Sequence, residues 1–224
     1  MTLLMNGCSF TDIWKPSSEF VKALGCDNVV NLGIEATSFQ RTVRSTIEWI
    51  AQNGKPNFVL VPITFSHRWE LALNLHDKPI EGSWIPLQNS NFIRDDIQLQ
   101  GTNAKDLKKL VDDYYKVIPN IKTYYDKLFT DLILFANYLE NNNINYLMFD
   151  MCNKFDRKDI KGYQGFEKVK LIEQNKNIID IWNFCANEYM FTTMKSNVDI
   201  DRYGHHHAPE QYKQLEKYIL NYIK

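Results

Sequence analysis

Apolar residues in this chain cluster in two ways, as short runs and as longer stretches of helical period. Leu3 to Met5 is an apolar run that reads as a short buried strand, ended by the turn signal Asn6-Gly7. Asn28 to Leu32 reads as a second strand, because Val29, Val30 and Leu32 form a compact run between turn residues and Gly33 ends it. Phe58 to Ile63 is almost uninterrupted in its apolar character and suits a strand covered on both faces. Ile144 to Phe149 reads as a fourth strand, and Asn177 to Ile181 as a short fifth that runs into a helix around Trp182 to Tyr189. Between the strands lie helical patterns. A short helix covers Ser17 to Leu24, opened by Pro16-Ser17-Ser18 and closed by Gly25. Thr37-Ser38 caps the next, whose residues Val43, Ile47, Ile50 and Ala51 share one face before Asn53-Gly54-Lys55-Pro56 stops it. The longest is marked by Ile121, Tyr125, Leu128, Leu132, Phe135 and Leu139, at a spacing near the roughly 3.6-residue helical period. Asn141-Asn142-Asn143 ends it. A last amphipathic helix starts near Ala208-Pro209 and runs through Tyr212, Leu215, Ile219 and Ile223.

Strands thus alternate with helices, and no hairpin signal joins two strands. The pattern predicts an α/β fold: a parallel sheet of about five strands, right-handed crossovers and helices on both faces. No repeat or linker interrupts it, so residues 1–224 are expected to form one domain. The stretch from Thr64 to Ala104 departs from the pattern. It holds Pro79, Gly82, Pro86 and Gly101 among polar residues, with Trp84 and Phe92, and reads as an irregular insertion. Insertions of that length tend to be lids or binding loops.

Composition narrows the picture. The chain has 224 residues, 44% of them hydrophobic, enough for a sizeable core. A net charge of -1 with no basic run argues against a nucleic-acid partner held by bulk electrostatics. No apolar stretch approaches the roughly 20 residues of a membrane helix, and the amino terminus lacks the basic start and apolar core of a secretory signal. No membrane association and a cytoplasmic location are the expectation. Cys8, Cys26, Cys152 and Cys185 are scattered without a CxxC pair and read as reduced, buried thiols.

Candidate chemistry concentrates at strand ends. A strand that stops at Gly7 and hands over to Cys8-Ser9 puts a small nucleophilic residue at the carboxyl edge of the sheet, where open α/β sheets bind their ligands. Cys8 and Ser9 point to different sides there, so one of the two faces the site and the other packs in the core. After the third strand come Thr64, Arg68, Trp69 and Glu70. The Arg68 fork suits a carboxylate, a phosphate or a sugar hydroxyl. The plainer reading is an Arg68–Glu70 pair that anchors the loop. Trp69 and Trp84 are candidates for a sugar-stacking platform or for loop packing. Late in the chain, Asp199 and Asp201 precede His205-His206-His207 and the last helix. Neighbouring residues in extended chain face opposite ways, so the three histidines are poorly arranged for one metal ion.

These islands resemble, in order, the sequence blocks of the SGNH (GDSL-like) hydrolases. Gly7-Cys8-Ser9-Phe10-Thr11 is similar to their first block, Gly-Asp-Ser, with cysteine in the aspartate's place. Gly33 stands where the second block has its glycine. Pro62-Ile63-Thr64-Phe65 stands where the third block has Gly-x-Asn-Asp, so Thr64 takes the asparagine's position. The last block, Asp-x-x-His before a terminal helix, is matched in position by Asp201 and the histidines, although the spacing is longer. The resemblance implies a three-layer, flavodoxin-like sheet and a serine esterase that uses no metal or organic cofactor. It implies Ser9 as nucleophile, His206 as base with His205 and His207 as alternatives, and Asp201, with Asp199 second, as its orienting acid. The Ser9 and Gly33 backbone N–H groups and Thr64 would form the oxyanion hole. The expected substrate is a small-molecule or carbohydrate ester, a short acyl ester such as an O-acetyl group. Acyl transfer to a hydroxyl by the same serine, and a non-catalytic binding or structural module that kept the fold, are the alternatives.

Overall fold

The structure, a computed structural model, describes residues 1–35, 37–72, 84–87, 104–117, 121–153, 155–158, 165–193 and 209–223. Its centre is a four-stranded parallel sheet in the order β2-β1-β3-β6, built from β1 (Thr2–Met5), β2 (Asn28–Asn31), β3 (Phe58–Ile63) and β6 (Asn145–Asp150). Leu3 is paired with Val29 on one side and Phe58 on the other. Phe58 to Ile63 run in register with Asn145 to Asp150. The strands expected from the apolar runs are therefore present. The exception is Asn177 to Ile181, which contributes only an isolated parallel bridge between Ile178 and Met148. Asp180 diverts that chain at once, because its carboxylate accepts from Trp182 N and Asn183 Nδ2 in a local turn.

Side chains alternate along each strand, and the alternation builds two cores. Leu3, Met5, Leu60, Leu147 and Phe149 face one layer, where they meet α1 (Ser9–Asp12), α2 (Ser18–Ala23), α7 (Ala186–Thr193) and α8 (Pro209–Ile223) through Phe10, Phe20, Met190 and Leu215. Leu4, Val59, Val61, Tyr146 and Met148 face the other, where they meet α3 (Phe39–Asn53), α5 (Ile121–Asn141) and α6 (Phe166–Gln174) through Phe39, Phe129, Leu132 and Ile172. The sheet is thus sandwiched between two helical layers. Among the described residues, no helix is long and apolar enough to cross a membrane.

Two details differ from the sequence pattern. The buried face of α3 carries Thr42, Ser45 and Thr46, whereas Val43 and Ile47 are half-buried and Ala51 is exposed. The reason is Asn6, fully buried at the end of β1, whose Nδ2 donates to Thr42 O, Ser45 Oγ and Thr46 Oγ1 at 3.0, 2.8 and 2.9 Å. A buried amide needs hydrogen-bonding neighbours, and α3 supplies them beside its buried Phe39 and Ile50. The second detail is the stretch from Thr64 to Ala104. It contains an antiparallel pair, β4 (Trp69–Ala72) and β5 (Trp84–Leu87), with Trp69 opposite Leu87 and Ala72 opposite Trp84. α4 (Ala104–Val117) follows it.

Candidate active site

The site is assembled at the carboxyl edge of β1, β2, β3 and β6. Hydrogen bonding between β1 and β2 continues past the strands: Leu32 N donates to Met5 O at 2.8 Å and Ile34 N to Gly7 O at 3.2 Å. This carries Gly33 against the start of α1. A Cβ on Gly33 would sit 2.6 Å from Asp12 N, and one on Gly7 would sit 2.2 Å from Thr11 Oγ1 and 3.1 Å from Pro62 O. Close approach of backbone therefore requires a glycine at 33, and close approach of the Thr11 side chain one at 7.

Cys8 is the N-cap of α1, with extended backbone, and its carbonyl accepts from Thr11 N at 2.8 Å and Asp12 N at 3.0 Å. Ser9 is the first helical residue. Its side chain is half-buried, while Cys8 has no exposed surface. Of the two candidates after Gly7, the serine thus reaches the surface and the thiol packs inward.

The inward thiol has unusual company. Cys152, two residues beyond the end of β6, hydrogen-bonds to it. That bond, then the Phe10 N–H, the Arg68 charge and the Thr64 hydroxyl, outweigh burial and lower the Cys8 thiol to about 6. Burial, and next the proton donated to Cys8, push Cys152 well above the ordinary thiol range. Cys8 is thus the more acidic thiol of the pair, and Cys152 is the donor between them.

Thr64 has no exposed surface. Its Oγ1 lies 3.1 Å from Thr37 O and also within reach of the Cys8 sulfur, so its single hydrogen is engaged inside the fold whichever acceptor takes it. The same oxygen accepts from Arg68 Nη1 at 3.4 Å. The Gly33 N–H is likewise engaged: it donates to Asn31 Oδ1 at 2.9 Å, while Asn31 Nδ2 donates to Thr11 O at 2.7 Å. Asn31 thereby staples the end of β2 to α1.

Arg68 is largely buried, with its guanidinium 4.4 Å above the Phe65 ring and against the Cys8 sulfur. Burial is the main effect that lowers its basicity, and Cys8 opposes it. The anchoring pair with Glu70 does not form. Glu70, whose side chain is 2% exposed, binds Arg44 of α3 at 3.3 Å. The loop is instead fixed by Asn153. Its Nδ2 donates to Thr64 O at 3.0 Å and to Asp150 Oδ1 at 2.7 Å, and its Oδ1 accepts from Ser66 N at 2.6 Å. Tyr115 of α4 adds a hydrogen bond to His67 O at 3.0 Å. His67 is pushed toward neutrality, chiefly by burial and then by Arg68. Trp69 packs its ring under Lys127 Nζ, 4.6 Å from the centroid, and against Tyr114 at 5.3 Å. Trp84 stands in β5 and pairs through its backbone with Ala72.

Ser9, Gly33, Thr64 and Arg68 thus gather at one edge. Asp199, Asp201, His205, His206 and His207 lie outside the described residues. Asn31, Asp150 and Asn153 were not singled out in the sequence, and Cys152 was read only as a buried thiol, which it is. Asn31 and Asn153 each immediately precede or follow a strand-end motif, which is the signal that marks them.

No family profile matches the chain, and no curated protein does. Solved structures do resemble it. One is the crystal structure of TesA, with 14% identity over 100% of this chain and 98% of that one, at a TM-score of 0.50. A protein named as lipolytic and of the G-D-S-L family, from Desulfitobacterium hafniense, has 14% identity over 99% and 98% of the two chains, at 0.48. A protein named as an acylhydrolase, from Bacteroides fragilis, has 12% identity over 98% and 86%, at 0.45. At such identities the likeness is one of fold. With its two helical layers and β2-β1-β3-β6 order, the chain takes the three-layer α/β fold of SGNH type.

Proposed function

We propose that the protein is a serine ester hydrolase acting on a short acyl ester, an O-acetyl ester of a carbohydrate being the natural candidate. The observation that carries this reading is the position of Ser9. It is a half-buried serine at the first position of α1, the helix that follows β1 and packs against Gly33, at the edge where sheets of this kind bind ligands. In this reading Ser9 Oγ attacks the ester carbonyl while a histidine of the 205–207 run, His206 first, takes its proton. Asp201 orients that ring. The oxyanion develops at the edge where Ser9 N–H, Gly33 and Thr64 lie, the expected oxyanion-hole positions, and water then releases the acyl group. Trp69, Trp84 and Arg68 are the substrate-binding candidates, in and just before the β4–β5 pair.

The test is hydrolysis of p-nitrophenyl acetate and butyrate by the wild type, Ser9→Ala and His206→Ala. Activity should fall by about 10³-fold or more in both variants. Loss in Ser9→Ala with activity kept in His206→Ala moves the base to His205 or His207. Unchanged activity in Ser9→Ala refutes the assignment of the nucleophile.

One observation favours a second reading, a binding module that kept the fold. The Gly33 N–H and the Thr64 hydrogen are both engaged within the protein. A folded wild type that hydrolyses neither ester, yet retains a carbohydrate ester on equilibrium dialysis, would support that reading over the enzyme.

A further inference from the structure

We propose that Arg68, rather than Thr64, is the side chain that holds the negative charge developing on the substrate's carbonyl oxygen. This rests on the serine-hydrolase reading of Ser9 and assigns the missing donor of that site.

Three observations lead to it. First, the donors expected at this edge are occupied: Asn31 Oδ1 holds the Gly33 N–H, and the single Thr64 hydrogen points to Thr37 O or to Cys8. A hydroxyl whose hydrogen is used elsewhere cannot donate to an oxyanion, since it has only one. Second, the cation that approaches the same point is Arg68. Its Nη1 is 3.4 Å from Thr64 Oγ1, its plane rests on Phe65, and it contacts the sulfur of Cys8, the residue preceding Ser9. Thr64 thus acts as an acceptor that steers Arg68. Third, Arg68 has no carboxylate partner among the described residues, because Glu70 is held by Arg44. Its Nε is buried without a hydrogen-bond partner. A guanidinium has five N–H donors, and a largely buried one normally has them matched by a carboxylate or a ligand. Here the acceptors are the Thr64 hydroxyl and the Cys8 sulfur, and neither takes up Nε. They hold the cation without saturating it, which leaves donors for an oxyanion, where a preorganised charge is most effective.

The experiment compares wild type, Arg68→Gln, Arg68→Lys and Thr64→Val, each checked for a cooperative thermal transition. Hydrolysis of p-nitrophenyl acetate is measured alongside calorimetric binding of inorganic phosphate as a tetrahedral anion. Arg68→Gln should lower kcat by about 10²- to 10³-fold with KM within about threefold, the signature of an interaction made in the transition state. Arg68→Lys should recover about tenfold of that loss, since it keeps the charge but not the fork. Thr64→Val should lose less than Arg68→Gln. An Arg68→Gln kcat within about threefold of wild type overturns the proposal, and so does a larger loss in Thr64→Val. If Arg68→Gln does not fold, Arg68→Lys decides: a tenfold or greater fall supports the role, and activity within about threefold overturns it. If wild type hydrolyses nothing, the serine-hydrolase reading fails separately. Phosphate binding that is lost in Arg68→Lys or Arg68→Gln then keeps Arg68 as the anion-holding group, and no phosphate binding by wild type removes it.

Discussion

Cys8 stands where the resembled family has an aspartate, and the structure gives it part of an aspartate's character. It is fully buried, yet the Cys152 hydrogen bond, the Phe10 N–H, Arg68 and Thr64 bring its thiol down to about 6. The unfolded chain holds that proton until about pH 8.5 to 9, the ordinary thiol range. Between the two values the unfolded state binds a proton that the folded state does not, so stability rises with pH across this window. The contribution is complete above the unfolded value and is lost as pH falls through about 6. Serine at this position does not titrate. The stability difference between wild type and Cys8→Ser should therefore widen from pH 6 to pH 9, by at most about 1.4 kcal/mol per pH unit. Urea unfolding at several pH values measures it, and a difference independent of pH would mean that Cys8 is an ordinary buried thiol. Residues of this kind divide by legibility. That Ser9, Gly33 and Thr64 lie beyond strand ends was readable because each follows an apolar run, whereas the Arg68–Glu70 pair read from the loop does not form. The Cys8–Cys152 bond and the strap from Asn153 to Thr64 and Ser66 were not readable. Their partners lie far apart in sequence, as Ser66 and Asn153 do, and hydrogen-bond satisfaction is decided only when strands are neighbours.

At the level of elements, α1 is the critical one, because it is only one turn long and begins with Ser9. Its angle to β1 is set by how closely it meets Gly7. A methyl on Gly7 would overlap Thr11 Oγ1 at 2.2 Å and press on Pro62 O at 3.1 Å. Gly7→Ala should therefore cost about 1–3 kcal/mol by overpacking. Thr11 Oγ1 is itself buried with no hydrogen-bond partner, so Thr11→Ala alone should be mild, under about 1 kcal/mol. Combined, the two should be less destabilising than their sum, because the second change removes the atom that the first one hits. Thermal unfolding of the four proteins completes the cycle, and strict additivity would place the strain elsewhere. The elements themselves were largely legible. Phe58 to Ile63 and the 21-residue α5 carry uninterrupted or strongly periodic apolar signals, and both formed as expected. α3 formed too, and Ile50, Val43 and Ile47 meet the core as expected, but Thr42, Ser45 and Thr46 share the inward side because Asn6 needs their hydrogen bonds. The β4–β5 pair escaped notice because Pro86 lies within β5, and proline demotes a run as a strand signal. Here that residue sits in a two-stranded pair rather than in the interior of a sheet.

Across the whole molecule, the helical layer that carries α1 is closed by the end of the chain. Glu216 of α8 is 4% exposed and accepts from Ser17 N at 2.9 Å, Ser17 Oγ at 2.6 Å and Trp14 Nε1 at 3.2 Å. Beside it, Tyr212 stacks on Trp14 at 5.5 Å and donates to Phe10 O at 2.8 Å. These contacts join α8 to the turn between α1 and α2. The helix pattern in the sequence could place Tyr212 and Leu215 on an inward face. It gave no reason for a glutamate to share that face until the unmatched donors of Trp14 and Ser17 were brought opposite it. The Ser17 hydroxyl also caps α2 by accepting from Phe20 N at 3.2 Å, so the carboxylate holds a residue that already orders the next helix. Glu216→Gln keeps the shape but replaces one acceptor oxygen with a donor and removes the charge from three hydrogen bonds. A loss of about 1–3 kcal/mol is expected in urea unfolding followed by tryptophan fluorescence. Trp14→Phe removes one of the same three donors and also lowers stability. The double variant should lose less than the sum, since Trp14 and Glu216 share a bond. If Glu216→Gln leaves the unfolding midpoint unchanged, the apolar contacts of Tyr212, Leu215 and Ile219 alone dock α8, and the buried carboxylate serves orientation rather than stability.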